Sequence, residues 1–390
     1  MNKLLELNNK FSLFTILRNL LENDLFKVFS SFCMENGIIE KNKLYTKFVS
    51  IIYSNGADLA KYVSKLLFEN ENIYVKLIAK NEKIIDEINE AMIFEIDTLN
   101  EFIKIDPSLF KEELNILGYF PKYVSSNIDL KKEYMNRISN VSLYGYGIYA
   151  TNAMFQISDK GEIIPVISAD KINFNNFIGY TNERKQVVKN TISFLENKPS
   201  QNVLLYGDAG TGKSSTVKAI VNEYFKLGLR LIEIRKNQLH LLSNIMGQIS
   251  EYPLKFIIFI DDLSLNSNDD NFSMLKAMLE GSASSIANNA LLYATSNRRH
   301  IVKETFDERE NDIHRNDTIQ ESISLSSRFG LTILFQKPDK VLYLEIVNTL
   351  AKRNNLNIDK NELEIKAEAF ALKKGYRSAR CAEQFIKSIM

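Results

Sequence analysis

One segment constrains this chain more than any other: the eight residues Gly207, Asp208, Ala209, Gly210, Thr211, Gly212, Lys213 and Ser214. They fit the spacing G-x-x-x-x-G-K-[ST], in which glycines let backbone N–H groups turn inward around phosphate oxygens. An apolar strand is predicted before this loop, at 203–206, and an amphipathic helix after it, at 214–227. Because the N-terminus of a helix attracts anions, this order of elements predicts a phosphate-binding site.

Composition excludes several other classes of protein. The chain has 390 residues, 45% of them hydrophobic, so it is long enough for two or three domains with buried cores. Its net charge of +1 provides no overall basic field for non-specific nucleic-acid binding. No apolar run approaches the ~18 residues of a membrane-spanning helix, and the first residues lack the pattern of a signal peptide. We therefore expect a soluble cytoplasmic protein that has no membrane partner.

The first part of the chain, to about residue 135, has the hydrophobic spacing of helices. A buried helical stripe is predicted from residues that recur every three or four positions: Leu13, Leu17, Leu20, Leu21, Leu25, Val28 and Phe29. Residues 141–168 instead predict a β-hairpin around a turn at 159–161, with Pro165 restricting the second strand to a sheet edge. We expect a mostly helical N-terminal domain over 1–170 that ends in this hairpin and binds a client or partner.

From about residue 171, apolar strands alternate with helices. The predicted strands lie at 203–206, 229–234, 256–260, 290–295 and 331–335. Continuous apolar strands separated by helices indicate a parallel sheet that is covered on both faces. After Pro338 the pattern is helical, which is enough for a small cap of three helices. We therefore expect an α/β domain over 171–336 and a helical lid over 337–390.

Two carboxylates follow the buried strand at 256–260. Because ligands gather at the carboxyl ends of parallel strands, Asp261 and Asp262 are predicted to lie near the glycine-rich loop. Lys213 would contact the β- and γ-phosphates, and Ser214 and Asp261 would hold Mg²⁺. Asp262 would orient the attacking water. The alternative interpretation is that the two acids only cap the next helix.

Further polar residues are candidates for the same site. Asn297 follows the strand at 290–295 and would position the same water, although Asn also forms turns. Arg328 precedes the last strand and would act in trans on the nucleotide of a neighbouring subunit, with a surface arginine as the alternative. Arg377 and Arg380 lie at the start of the last helix. Either would reach the γ-phosphate from the lid, and their spacing does not decide between them.

These motifs resemble those of the AAA+ ATPase superfamily. The loop at 207–214 matches Walker A, and the strand with its carboxylates at 256–262 matches Walker B. Sensor 1, the arginine finger and sensor 2 are matched by Asn297, Arg328, and Arg380 or Arg377. The segment Phe177-Ile178-Gly179-Tyr180 lies upstream, where these proteins have the adenine-contacting box. More closely, the chain resembles the bacterial family called domain of unknown function 815. That resemblance is carried by the stretches LLYGDAGTGKSSTVKAIVNEY, KFIIFIDDLS, LLYATSNRRH and SSRFGL.

The superfamily resemblance implies a sheet of order 5-1-4-3-2, a helical lid, ATP with Mg²⁺, and sites shared between the subunits of a homo-oligomer. It implies catalytic roles for Lys213, Asp262, Asn297 and Arg328. It implies ATP contacts at Gly179, Gly207, Asp208, Ala209, Gly210, Thr211, Gly212, Lys213, Ser214, Ser215, Arg377 and Arg380. The metal would be held by Ser214 and Asp261.

One departure from the superfamily bears on activity. Most members have Asp-Glu at the end of Walker B, whereas this chain has Asp261 and Asp262, and the shorter carboxylate ends one methylene nearer its backbone. We expect an ATP hydrolase that remodels or loads an unknown protein or nucleic-acid client. The alternative is a slowly hydrolysing, ATP-dependent binding switch or adaptor on nucleic acid, with the basic run at 298–300 as a contact.

Overall fold

The computed structural model describes residues 3–167, 172–263, 270–279, 287–297 and 327–390. The chain divides between Thr151 and Asn152 into two compact units, which we call the N-terminal unit and the C-terminal unit. Among the described residues, none of the helices has both the length and the hydropathy that crossing a bilayer requires.

The N-terminal unit is built from helices. They are α1 (Lys3–Phe11), α2 (Asp24–Met34), α3 (Ile38–Ser54), α4 (Leu59–Phe68), α5 (Ile73–Ala79), α6 (Asp86–Phe102), α7 (Pro107–Leu114), α8 (Leu130–Ser139) and α9 (Val141–Tyr144). Short 3-10 turns lie at Arg18–Glu22 and Gly147–Ala150. Edge-to-face phenylalanine pairs form much of the core, including Phe29 and Phe102, whose ring centroids are 5.0 Å apart.

The predicted stripe over residues 13–29 is not one helix. Helix α1 ends at Phe11, and only the 3-10 turn precedes α2. The cause is Glu95 on α6, a fully buried residue whose carboxylate accepts the backbone N–H groups of Thr15, Ile16 and Leu17 at 2.7, 3.0 and 2.7 Å. Because those N–H groups donate to a carboxylate on a distant helix and not to helical carbonyl groups, the chain turns where periodicity predicted a continuous helix.

The C-terminal unit contains one seven-stranded sheet. Its strands are β1 (Met154–Ile157), β2 (Ile163–Pro165), β3 (Val203–Gly207), β4 (Leu229–Ile234), β5 (Lys255–Ile260), β6 (Ala290–Ser296) and β7 (Leu331–Phe335). The spatial order is β2-β1-β4-β5-β6-β3-β7, and the pairings are parallel except for that between β1 and β2. The five predicted strands are confirmed. Numbered one to five in chain order from β3, they lie in the order 5-1-4-3-2.

The hairpin corrects the expected domain boundary at residue 170. Strand β1 pairs in parallel with β4, with Phe155 opposite Ile232, so the hairpin extends the sheet and belongs to the C-terminal unit. Residues 141–150, expected to belong to the hairpin, form α9 and a 3-10 turn instead. The edge position predicted from Pro165 is confirmed, because β2 ends the sheet.

Within the described ranges, the C-terminal unit also contains helices that lie between the strands and after the last one. They are α10 (Thr181–Leu195), α11 (Lys213–Tyr224), α12 (Leu242–Ser250), α13 (Asp270–Leu279), α14 (Lys340–Arg353), α15 (Lys360–Lys374) and α16 (Ala379–Ile389), with 3-10 turns at Phe174–Asn176, Phe225–Leu227 and Lys236–Leu241. Helices α14 to α16 bury a hydrophobic cluster of their own, which includes Tyr343 and Phe385. The expected lid is therefore three helices with a separate core, within the same compact unit as the sheet.

Candidate functional site

The glycine-rich loop connects the end of β3 to the start of α11. Gly207 has φ +131°, and a Cβ atom there would lie 2.1 Å from the carbonyl oxygen of Phe335 on β7. Gly212 has φ +90° and directly precedes the helix. Both positions use conformations that side-chain-bearing residues rarely adopt, so the glycines are what allow this turn.

Lys213 is the buried cation of the loop. Its Nζ donates hydrogen bonds to the carbonyl oxygens of Gly207 and Asp208, both at 2.8 Å, and to Oδ1 of Asn297 at 3.2 Å. Burial lowers the pKa of Lys213, and neighbouring carboxylates act against that shift. A desolvated ammonium group held by neutral oxygens is well placed to attract a phosphate.

The two carboxylates lie beside the loop, as the parallel topology predicts. Asp261 Oδ1 accepts hydrogen bonds from Ser214 Oγ at 2.6 Å and from Thr295 Oγ1 at 2.5 Å. Asp262 has a left-handed backbone, φ +52°, and its N–H donates to Thr295 Oγ1 at 2.9 Å. Asn297 Nδ2 donates to Asp262 Oδ1 at 2.8 Å. The side chain of Asn297 therefore connects the acid to the buried lysine.

Thr295 is a site residue that the sequence analysis missed. It contacts both acids, and it is 2% exposed. Its signal was present, because it lies two residues before Asn297 and alternate residues of a strand share a face.

These groups line one cavity of about 500 Å³, a size typical of ligand sites. The predicted residues that line it are Ala209, Gly210, Thr211, Gly212, Lys213, Ser214, Ser215, Asp261, Asp262, Asn297 and Arg380. The predicted residues outside its lining are Gly179, Gly207, Asp208, Arg328 and Arg377. The apolar side chains of the lining are those of Phe177, Ile178, Ile346 and Leu350. The first two belong to the segment 177–180, for which the superfamily resemblance implied an adenine contact. The sequence analysis missed Ile346 and Leu350, because no local pattern marks these residues of α14.

Gly179 and Asp208 support the cavity from outside its lining. Gly179 has φ +71°, and a Cβ there would lie 2.5 Å from the Leu342 side chain on α14. Its carbonyl oxygen accepts a hydrogen bond from Arg184. Asp208 Oδ2 accepts the backbone N–H of Lys337 at 3.0 Å, which ties the loop to the segment between β7 and α14.

The structure separates the two C-terminal arginines that spacing left open. Arg380 lines the cavity, and its backbone N–H donates a hydrogen bond to the carbonyl oxygen of Gly210 at 3.4 Å. Arg377 instead forms a two-pronged ion pair with Glu368 on α15, at 3.0 and 2.7 Å. The geometry therefore brings Arg380, and not Arg377, to the phosphate loop.

Arg328 lies near the amino ends of the strands, whereas the loop lies at their carboxyl ends. It is exposed and precedes β7, where Leu331 pairs with Val203 at the start of β3, while Phe335 pairs with Gly207 at the loop end. Four residue steps along a strand span roughly 13 Å, so Arg328 does not reach the cavity of its own chain. It lines a separate cavity of about 520 Å³ at the amino ends of the strands.

The chain is similar to one characterised protein over about half its length. It is 27% identical over 192 residues to the Holliday junction branch migration complex subunit RuvB of Mycoplasmopsis pulmonis (strain UAB CTIP), a match that covers 48% of this chain and 57% of that protein. Among solved structures, the RuvB Holliday junction branch migration motor of Thermotoga maritima matches with a TM-score of 0.35 and 14% identity, over 56% of this chain and 72% of that one. A mutant of the same motor gives a TM-score of 0.36.

A family model covers the whole part of the chain that carries the site. Residues 149–390 match the model described as "Protein of unknown function (DUF815)". The match includes the loop, both carboxylates, Asn297 and the three helices after β7. Because it extends over more than half of the chain, this protein belongs to the DUF815 family.

Proposed function

We propose that this chain is an AAA+ ATPase that binds ATP with Mg²⁺ and hydrolyses it to ADP and phosphate, to remodel or load a client. One observation carries the proposal: the Asn297 amide connects the phosphate-loop lysine to Asp262 beside a cavity of nucleotide size. A phosphate-binding cation and a carboxylate able to orient water are thus joined by one polar side chain. A protein that only bound phosphate would not need the carboxylate.

The chain's own groups divide the work of this reaction. The loop N–H groups and Lys213 would hold the β- and γ-phosphates, and Arg380 would contact the γ-phosphate from α16. Asp262, held by Asn297, would orient the attacking water and accept its proton. Phe177 and Ile178 would enclose the base together with apolar residues of α14, so nucleotide would connect the sheet to the lid helices.

The oxygens of Ser214 and Asp261 fit a magnesium ion. They lie 2.6 Å apart beside the loop, and hydroxyl and carboxylate oxygens are the ligands that Mg²⁺ prefers. When bound there, Mg²⁺ would neutralise charge that develops on the phosphate oxygens.

Arg328 supports a homo-oligomer with shared sites. Its position at the amino edge of the sheet suits a guanidinium that completes the site of a neighbouring subunit. The RuvB relative is named as a subunit of a complex, which agrees with assembly. The N-terminal unit would then bind the client.

The test is ATP turnover measured against protein concentration, for the wild type and for Arg328→Ala, alongside nucleotide binding. We expect specific activity to rise with concentration. We expect Arg328→Ala to keep its affinity and to lose turnover by ~10³-fold, the effect of an absent arginine finger. Arg18→Ala removes an exposed arginine from the N-terminal unit and serves as the control. Turnover that is independent of concentration and unaffected by Arg328→Ala would contradict shared sites.

A second candidate is a slowly hydrolysing switch that binds nucleic acid in its ATP-bound form. It is favoured by the short Asp262 side chain and by the RuvB relative, whose name places it at Holliday junctions. The basic run at 298–300 lies outside the described residues. Binding of branched and linear oligonucleotides by the ATP-loaded protein should weaken steeply as salt is raised. The absence of any binding at low salt would remove this candidate.

A further inference from the structure

Arg184 on α10 is a buried cation beside the candidate site. The residue is 8% exposed and contributes to the lining of the cavity. Its guanidinium carbon lies 4.2 Å from the centroid of the Phe177 ring, and Nη1 donates to the carbonyl oxygen of Gly179. Its Nε is buried and has no hydrogen-bond partner among the described residues. Leaving a buried charged donor unsatisfied costs free energy, so a ligand that accepts from it would be favoured.

The position of Arg184 indicates which part of a nucleotide it would meet. Nη2 of Arg184 and Cε1 of Phe177 each lie 4.0 Å from the point where a Cβ atom on Gly212 would stand. Lys213, the next residue, extends the other way, toward Asn297 and the carboxylates. Arg184 is therefore at the junction of the phosphate loop and the apolar lining, on the side away from the γ-phosphate groups.

We propose that Arg184 binds the sugar and α-phosphate part of an adenine nucleotide, and so holds ATP and ADP equally. This inference rests on the proposed function. Burial lowers the pKa of Arg184 to about 10, which reflects the cost of keeping this charge out of water. A phosphate oxygen at that junction would offset the cost through a charge-assisted hydrogen bond.

The experiment compares ATP and ADP affinities of the wild type, Arg184→Met and Lys189→Met by titration calorimetry. Lys189 is exposed on the same helix and lies outside the cavity lining, so its substitution removes the same charge without touching the site. We expect Arg184→Met to weaken ATP and ADP by the same factor, ~10-fold, as for loss of one hydrogen bond to a charged group. Lys189→Met should leave both affinities within about twofold of the wild type.

Thermal unfolding without nucleotide separates binding from folding. Unchanged affinities in Arg184→Met, with only a lowered melting temperature, would overturn the proposal and leave Arg184 a structural residue. A loss confined to ATP would overturn the placement at the α-phosphate. If the Met variant does not fold, Arg184→Lys replaces it. That variant keeps the charge but lacks the planar fork, so both affinities should fall several-fold together. Wild-type protein that bound neither nucleotide would contradict the proposed function itself, before any Arg184 variant is compared.

Discussion

The buried carboxylate Glu95 of the N-terminal unit and the buried cations beside the cavity of the C-terminal unit are held in different ways. In the N-terminal unit, both oxygens of Glu95 are occupied: Oε1 accepts from Thr15 N, Thr15 Oγ1 and Ile16 N, and Oε2 accepts from Leu17 N. In the C-terminal unit, Lys213 and Arg184 are buried against a cavity, and Nε of Arg184 has no hydrogen-bond partner within the described part of the chain. A buried charge whose partners are all internal stabilises the fold. A buried charge that faces a cavity is available to a ligand.

This comparison predicts opposite consequences for removing each kind of charge. Deleting the internally satisfied carboxylate leaves several backbone donors without an acceptor, so it should reduce stability. Deleting a cation of the cavity removes a group that is costly to bury, so it should reduce binding far more than stability.

The largest effect is expected for Glu95→Ala. Three N–H groups and a hydroxyl lose their acceptor, so the free energy of unfolding should fall by about 4 kcal/mol. Urea unfolding measures the change. Glu90→Ala, an exposed position on the same helix, is the control and should change stability by less than about 0.5 kcal/mol. Equal changes in the two variants would contradict the structural role of Glu95.

The next largest effect is expected for Lys213→Ala, and it concerns ATP binding. Loss of the phosphate-binding ammonium should weaken ATP affinity at least ~100-fold, or about 3 kcal/mol. Because the ammonium is desolvated, the unfolding free energy should change by less than it does in Glu95→Ala. Calorimetric titration and urea unfolding of the same preparation test both statements. Retained ATP affinity, or a stability loss as large as that of Glu95→Ala, would contradict the distinction between internally paired charges and charges that face the cavity.

Asp262→Asn should separate turnover from binding. Asparagine keeps an acceptor for Asn297 Nδ2 but cannot take a proton, so ATP affinity should stay within about twofold while turnover falls ~100-fold. Steady-state phosphate release and nucleotide titration measure the two quantities. Normal turnover would show that Asp262 has another role.

The smallest effect concerns Asp58 of the N-terminal unit, another carboxylate with internal partners. Burial alone would raise its pKa, but hydrogen bonds from Ser126 and from the N–H of Lys61 hold the pKa at about 2, below the ordinary 3.8. The stabilisation is therefore complete above the unfolded pKa and is lost as pH falls through the folded one. We expect about 2 kcal/mol to disappear between pH 5 and pH 2. Asp58→Asn, measured by urea unfolding over the same range, should show a shallower dependence.

The loop and the strands were predictable because their signals are local. The glycine spacing at 207–214, the apolar run at 256–260 and the carboxylates after it lie within short windows of the chain. Parallel topology then brings strand ends together, which is why Asp261 and Asn297 were expected near the loop. Arg328 was expected to act on another chain. It lies near the amino end of β7, away from the cavity of its own chain, and its action on a neighbouring subunit stays a prediction.

The lining of the cavity was less predictable. Arg184 comes from α10 and Ile346 from α14, and in sequence both look like ordinary core or surface residues. Arg377 and Arg380 were indistinguishable by spacing. The structure separated them, because Arg377 pairs with Glu368 whereas Arg380 lines the cavity. Side-chain partners across such distances are set by packing and not by periodicity.

The amino-acid sequence is enough to predict the phosphate loop, the five parallel strands and the strand ends at which the acids meet, because backbone conformation and hydrophobic pattern act over a few residues. Long-range contacts explain why the hairpin extends the sheet and why the chain turns at residues 15–17. The latter depends on Glu95, 80 positions from Thr15. A buried carboxylate requires hydrogen-bond donors. In the folded protein these are backbone N–H groups of a segment whose local pattern favoured a helix.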